Sequence, residues 1–72
     1  MNLRINGEVK TIEKSNKEIL LEGLLERLGF KPQLVVVELN GVIVNPKDWI
    51  NTKIKDGDCL EVVTIVGGGS YS

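Results

Sequence analysis

The chain has 72 residues, nine Lys and Arg against ten Asp and Glu, a net charge of −1 and no histidine. A core this small buries only about 60% of the surface its unfolded chain exposes, so one modest domain is the most it can build. Charges of both signs are scattered without a basic block for nucleic acid, apolar runs fall well short of the roughly 20 residues of a membrane span, and a single cysteine without histidine assembles neither a zinc set nor a Ser-His-Asp or Cys-His group.

Asn2 to Ile5 alternate polar and apolar, Asn6-Gly7 follows, and Glu8 to Ile12 resumes a strand-like pattern, which predicts a tight β-hairpin with Leu3 and Ile5 facing inward. Ser15 with Glu18 three residues later has the form of a capping box. Behind it Leu20, Leu21, Leu24, Leu25 and Leu28 make an apolar stripe at helical spacing, closed by Gly29. Gly23 inside that helix costs about 1 kcal/mol against alanine, which close packing on a sheet would explain.

Leu34 to Leu39 reads as a β-branched strand, Asn40-Gly41 as a second tight turn, and Val42 to Val44 as its short partner. Pro46 to Thr52 reads as a short helical turn anchored by Trp49, Lys55 to Asp58 as a turn, and Cys59 to Val66 as the last strand. The order of elements predicts an α+β fold of the β-grasp (ubiquitin-like) plan, a mixed five-stranded sheet with one main helix across one face. Its first and last strands lie parallel at the centre, because the helical segment between them supplies the crossover. Residues 1–66 would form this single domain and 67–72 a flexible glycine-rich tail.

Alternation places Leu34, Val36 and Glu38, and likewise Cys59, Glu61, Val63 and Ile65, on the sheet face away from the helix. Val36, Val63 and Ile65 there offer an apolar docking surface flanked by acids; equally, they satisfy strand propensity under neighbouring long side chains. Cys59 reads as a small packed hydrophobe without a role, and Trp49 as packing rather than an interface anchor. Asp56 and Asp58 around Gly57 supply too few ligands for a calcium loop and read as turn residues. The N-terminus lacks a positively charged region followed by an apolar stretch, so a cytoplasmic or organelle-interior location is expected, cytoplasmic first.

Gly67, Gly68 and Gly69 follow the last strand. Without side chains, such a backbone threads a narrow channel and leaves the reacting carbonyl unshielded; chain ends are also glycine-rich simply through disorder. The stretch Val37-Glu38-Leu39-Asn40-Gly41-Val42-Ile43-Val44, then Trp49, then Lys55-Asp56-Gly57-Asp58-Cys59-Leu60-Glu61-Val62, closing on Val66-Gly67-Gly68-Gly69, resembles the ThiS family of thiamine-biosynthesis sulfur carriers over residues 1–69.

The resemblance implies a carrier that is not an enzyme and binds no cofactor of its own. An adenylating enzyme of the ubiquitin-activating type (ThiF-like), using ATP and magnesium, would activate its terminal glycine carboxylate. Sulfur from cysteine, delivered through a cysteine desulfurase, would convert it to a thiocarboxylate, and a thiazole synthase (ThiG-like) would take that sulfur into the thiazole ring. No nucleic acid or membrane partner is implied, and the free carrier would be a monomer. The chain departs from the family in continuing as Ser70-Tyr71-Ser72, which masks any glycine carboxylate. Processing after Gly69, with Gly68 as second choice, would expose one; the three residues also read as an added or unrelated end. Two rival readings stand beside this one: a carrier for another pathway such as molybdopterin synthesis, and a ubiquitin-like interaction module without acyl chemistry.

Overall fold

The computed structural model describes residues 1–13 and 18–65. Strands β1 (Asn2–Ile5) and β2 (Glu8–Thr11) form the predicted hairpin, with Leu3 and Ile5 buried. Its two-residue loop has Asn6 and Gly7 both at positive φ, the geometry that matches the twist of the flanking strands. The Met1 ammonium donates to the Ile12 carbonyl at 2.7 Å and ties down the chain end.

The segment around the helix differs from expectation. Ile19–Leu20 form a short strand, β3, and helix α1 spans only Leu21–Arg27. Leucine spacing fits a longer helix equally well; what prevails is a two-stranded ladder that pairs Ile19 with Ile54 and Leu20 with Lys53. Glu18 therefore stands before the helix and no capping box forms on it, while Ser15 lies outside the described residues. The first helical N–H is satisfied by tertiary contact instead, Leu21 donating to the Thr52 carbonyl at 2.8 Å. Lys53 and Glu18 make an ion pair at 3.4 Å, but both side chains are mostly exposed and the pair contributes little. At the other end Gly29, at φ +84, lets its N–H reach Glu26 and that of Phe30 reach Leu25, which closes the helix in a Schellman motif.

Close packing does not explain Gly23. It is exposed, and a Cβ built there meets nothing within 4 Å. Gly23→Ala should therefore stabilise the chain by about 0.5–1 kcal/mol through the unfolded state. Thermal unfolding should show the midpoint rising by about 2–8 °C.

A 3-10 turn (Pro32–Leu34) precedes β4 (Val35–Leu39), so this strand begins one residue later than the sequence pattern suggests. Strand β5 (Val42–Val44) returns through Asn40-Gly41, again with both residues at positive φ. A 3-10 helix (Pro46–Asn51) carries the buried Trp49, β6 (Lys53–Ile54) pairs with β3, and β7 (Cys59–Thr64) closes the fold. The main sheet has the order β2-β1-β7-β4-β5, with β1 and β7 parallel at its centre and the other pairs antiparallel, as predicted. Its inner face buries Leu3, Ile5, Val35, Val37, Leu60 and Val62 against Leu21, Leu24 and Leu25 of α1. No helix among the described residues is long and apolar enough to cross a membrane.

Candidate functional site: the open sheet face and the root of the tail

Strand β7 delivers the chain to its glycine tail, and it is held from both sides. On the β4 side the ladder runs from Leu39–Leu60 to Val35–Thr64, and the Ile65 N–H adds one more bond, to the Leu34 carbonyl at 2.6 Å. On the β1 side the backbone ladder ends early, because β1 turns away at Asn6-Gly7. The Asn6 backbone N–H donates to Leu60 at 2.9 Å. Its carboxamide then supplies a further rung, Oδ1 accepting from the Val62 N–H at 2.7 Å and Nδ2 donating to the Val62 carbonyl at 3.1 Å. One side chain thus replaces the missing strand residue.

Asn40 does similar work at the start of β7. Its Oδ1 accepts from the Cys59 N–H at 3.0 Å, its backbone N–H donates to the Cys59 carbonyl at 2.7 Å, and its Nδ2 donates to Asp58 Oδ1 at 3.1 Å. Asp58 Oδ2 also accepts from the Lys55 N–H at 2.8 Å, and Asp56 Oδ1 from the Asn2 N–H at 2.6 Å, so both acids serve the turn. Sequence reading identifies both Asn-Gly pairs as turns and misses that they clamp β7. The available signal is residue type: an amide offers a donor and an acceptor together, which aspartate does not.

The face of the sheet away from α1 carries the predicted residues together. Val36 pairs with Val63, and Ile65 lies one row beyond beside Leu34; they are 39%, 60% and 40% exposed, Val36, Val63 and Ile65 respectively. Two residues inward, Glu38 is paired with Glu61 on one side and Ile43 on the other. Ile43, 66% exposed, is not marked by the sequence pattern and enlarges the apolar area toward the edge strand. Beside it a groove of about 290 Å³, lined by Val36, Ile43, Val44, Pro46 and Trp49 among others, opens where β5 leaves the sheet. Cys59 is half-buried on the same face, opposite Arg4. No three His, Cys, Asp or Glu side chains converge among the described residues. Gly67, Gly68 and Gly69, the predicted reactive tail, and the boundary at residue 66 lie outside the described residues.

A face of this kind on a β-grasp sheet, next to the root of a glycine end, places the chain among small ubiquitin-like proteins, and solved structures agree. The crystal structure of the thiamine biosynthesis protein (ThiS) from Geobacter metallireducens superposes with a TM-score of 0.81 at 34% identity, covering 96% of this chain and 100% of that one. The ThiS family model matches residues 3–69, and the chain belongs to the ThiS family. A protein of Pyropia yezoensis described as ycf40 is 41% identical over 69 residues, 96% of this chain and 93% of that protein. A thiazole synthase of Paramagnetospirillum magneticum is 40% identical over 70 residues, which is 97% of this chain but 21% of the synthase. This chain thus spans about a fifth of that relative.

Proposed function

We propose that this chain is a sulfur carrier for formation of the thiazole ring of thiamine, acting through Gly69 once Ser70-Tyr71-Ser72 has been removed. The observation that carries the reading is the extent of the family match, which runs through the whole sheet and ends at Gly69. In this reading the tail is the reactant, and the catalytic groups belong to the partner enzymes. A carboxylate oxygen of Gly69 attacks the α-phosphorus of ATP on an adenylating enzyme, with magnesium, and pyrophosphate leaves. A persulfide sulfur originating in cysteine through a desulfurase then attacks the acyl carbon, and AMP departs with the electron pair of the cleaved C–O bond. Reductive cleavage of the resulting acyl disulfide by a thiol of the sulfur-delivering system leaves the thiocarboxylate, which a thiazole synthase consumes.

Ile65 is the last residue held by the sheet among those described, so four further residues bring Gly69 to at most about 14 Å beyond it. A tail of that length requires the body of the carrier to dock beside the entrance to each active site, and the exposed Val36, Val63 and Ile65 lie on the sheet face that leads to it. The match to one segment of a much longer thiazole synthase supports thiamine over molybdopterin as the destination.

ATP–pyrophosphate exchange by a purified adenylating enzyme of this pathway tests the reading. A chain ending at Gly69 should support exchange and the full chain should not, and once cysteine, a desulfurase and a thiol are added the product should gain sulfur in place of oxygen by intact mass. Failure of both forms, or equal exchange by the two, would remove Gly69 from its role.

A further inference from the structure

Of the asparagines in the chain, Asn6 and Asn40 alone precede glycine. In that dipeptide the following backbone nitrogen reaches the side-chain amide most freely, because glycine has no β-carbon to obstruct the approach. The nitrogen gives its proton to hydroxide and bonds to Cγ, the side-chain NH2 takes a proton from water and leaves as ammonia, and a succinimide ring remains. Water then opens the ring at either carbonyl, to aspartate or to isoaspartate. One water is consumed and one ammonia released, without an oxidant or a reductant.

The fold treats the two sites differently. Expulsion of Nδ2 passes through a tetrahedral Cγ, so the bonds that hold the planar carboxamide must be given up first. Asn6 is held by the Val62 N–H and carbonyl, at 2.7 and 3.1 Å in a partly buried position, and opening it leaves both groups where solvent replaces the carboxamide incompletely. Asn40 gives up the Cys59 N–H at 3.0 Å and Asp58 Oδ1 at 3.1 Å, both at an exposed turn where water takes over at once. Opening costs less at Asn40.

We infer that Asn40 is a deamidation site of the folded chain, and that its conversion is a one-way covalent change that unlocks the start of β7. In the aspartate product the atom that now donates to Asp58 becomes a carboxylate oxygen, and two like charges meet at hydrogen-bond distance. In the isoaspartate product the backbone gains a methylene inside a two-residue turn, which then no longer matches β4 to β5. Both products act at the joint of β4, β5 and β7, and the core residues Val37, Leu60 and Val62 belong to those strands. The change does not depend on what the tail carries.

Peptide mapping of the full chain, held folded at mildly alkaline pH, tests the assignment by following the exchange of NH2 for OH at each site by mass. Isomerisation at Asp56-Gly57 leaves the mass unchanged and stays distinct. Asn40 should convert about tenfold or more faster than Asn6 in the folded chain, and the two at similar rates in denaturing urea, where neither carboxamide is held. Asn6 converting first or equally fast in the folded chain, or Asn40 converting only in urea, would overturn the proposal. Asn40→Asp reports what the product does, and its thermal midpoint should fall by at least about 4 °C. The exchanged pair Asn40→Asp/Asp58→Asn should recover most of that loss, since the amide then lies on the partner, its nitrogen donating to the new carboxylate and its oxygen still accepting from the Lys55 N–H. An exchanged pair that recovers nothing, or an Asn40→Asp chain as stable as wild type, would show that conversion leaves β7 locked.

Discussion

Trp49→Ala should remove about 3–5 kcal/mol of stability, and a 72-residue chain has roughly 4–11 kcal/mol in all. The indole is 2% exposed and among the largest fully buried side chains of the fold. It is set in the 3-10 helix that packs on α1, and its Nε1 donates to the Val44 carbonyl at 3.0 Å. That bond fastens the end of edge strand β5 to the turn that follows it. Alanine leaves a cavity under α1 and an unpaired carbonyl in a partly buried position. Trp49→Phe separates the two effects, keeping an aromatic ring but no donor, and should cost about 1–3 kcal/mol. Since Trp49 is the only tryptophan, urea unfolding should be followed by far-ultraviolet circular dichroism rather than fluorescence. An alanine variant within about 0.5 kcal/mol of wild type would show that Trp49 does not anchor this end of the core.

Sequence pattern carries furthest where one periodicity has one physical solution. Leu3 and Ile5 alternate with polar residues in a strand bounded by Asn-Gly, and a one-residue slip would bury Asn2 and Arg4, so the register is fixed. The parallel pairing of β1 with β7 follows from the crossover between them. The leucines around α1 have two solutions, because Ile19 and Leu20 can bury themselves either as a helical turn or as a strand against Lys53–Ile54. Only the distant segment decides, and nothing local marks it. Gly23 misleads for another reason: an interior glycine suggests a close neighbour, and here the space beside it is open.

At the site, strand alternation correctly places Val36, Val63 and Ile65 on one face, since period two needs no knowledge of partners. Ile43 escapes notice because a three-residue strand gives too little alternation to assign its face before its pairing with Glu38 is known. The opposition of Glu38 and Glu61 is likewise a property of register. The two residues are distant in sequence, and each alone is an ordinary acid on a half-exposed strand.

Asn6→Ala should destabilise the chain by about 2–4 kcal/mol, more than its place in a hairpin loop suggests. Three costs combine. Alanine at φ +52 is strained by about 1–2 kcal/mol, the Val62 N–H loses its acceptor, and the Val62 carbonyl loses a donor in a partly buried position. Asn6→Gly isolates the clamp, because glycine adopts the backbone freely and lacks only the carboxamide. If the rung is what matters, the glycine variant should still lose about 1–3 kcal/mol and the Val62 amide should exchange with solvent faster by an order of magnitude or more. Exchange at Val37, on the neighbouring strand β4 across from Val62, reports whether the loss stays local. A glycine variant as stable as wild type, with Val62 still protected, would show that β4 alone holds β7. With the clamp gone, the end of β7 is held from one side only, and the root of the tail should be ordered less firmly beside any partner. The same variant ended at Gly69 should therefore show weaker carrier binding in proportion to Val62 exchange, since docking and tail entry both depend on where β7 ends.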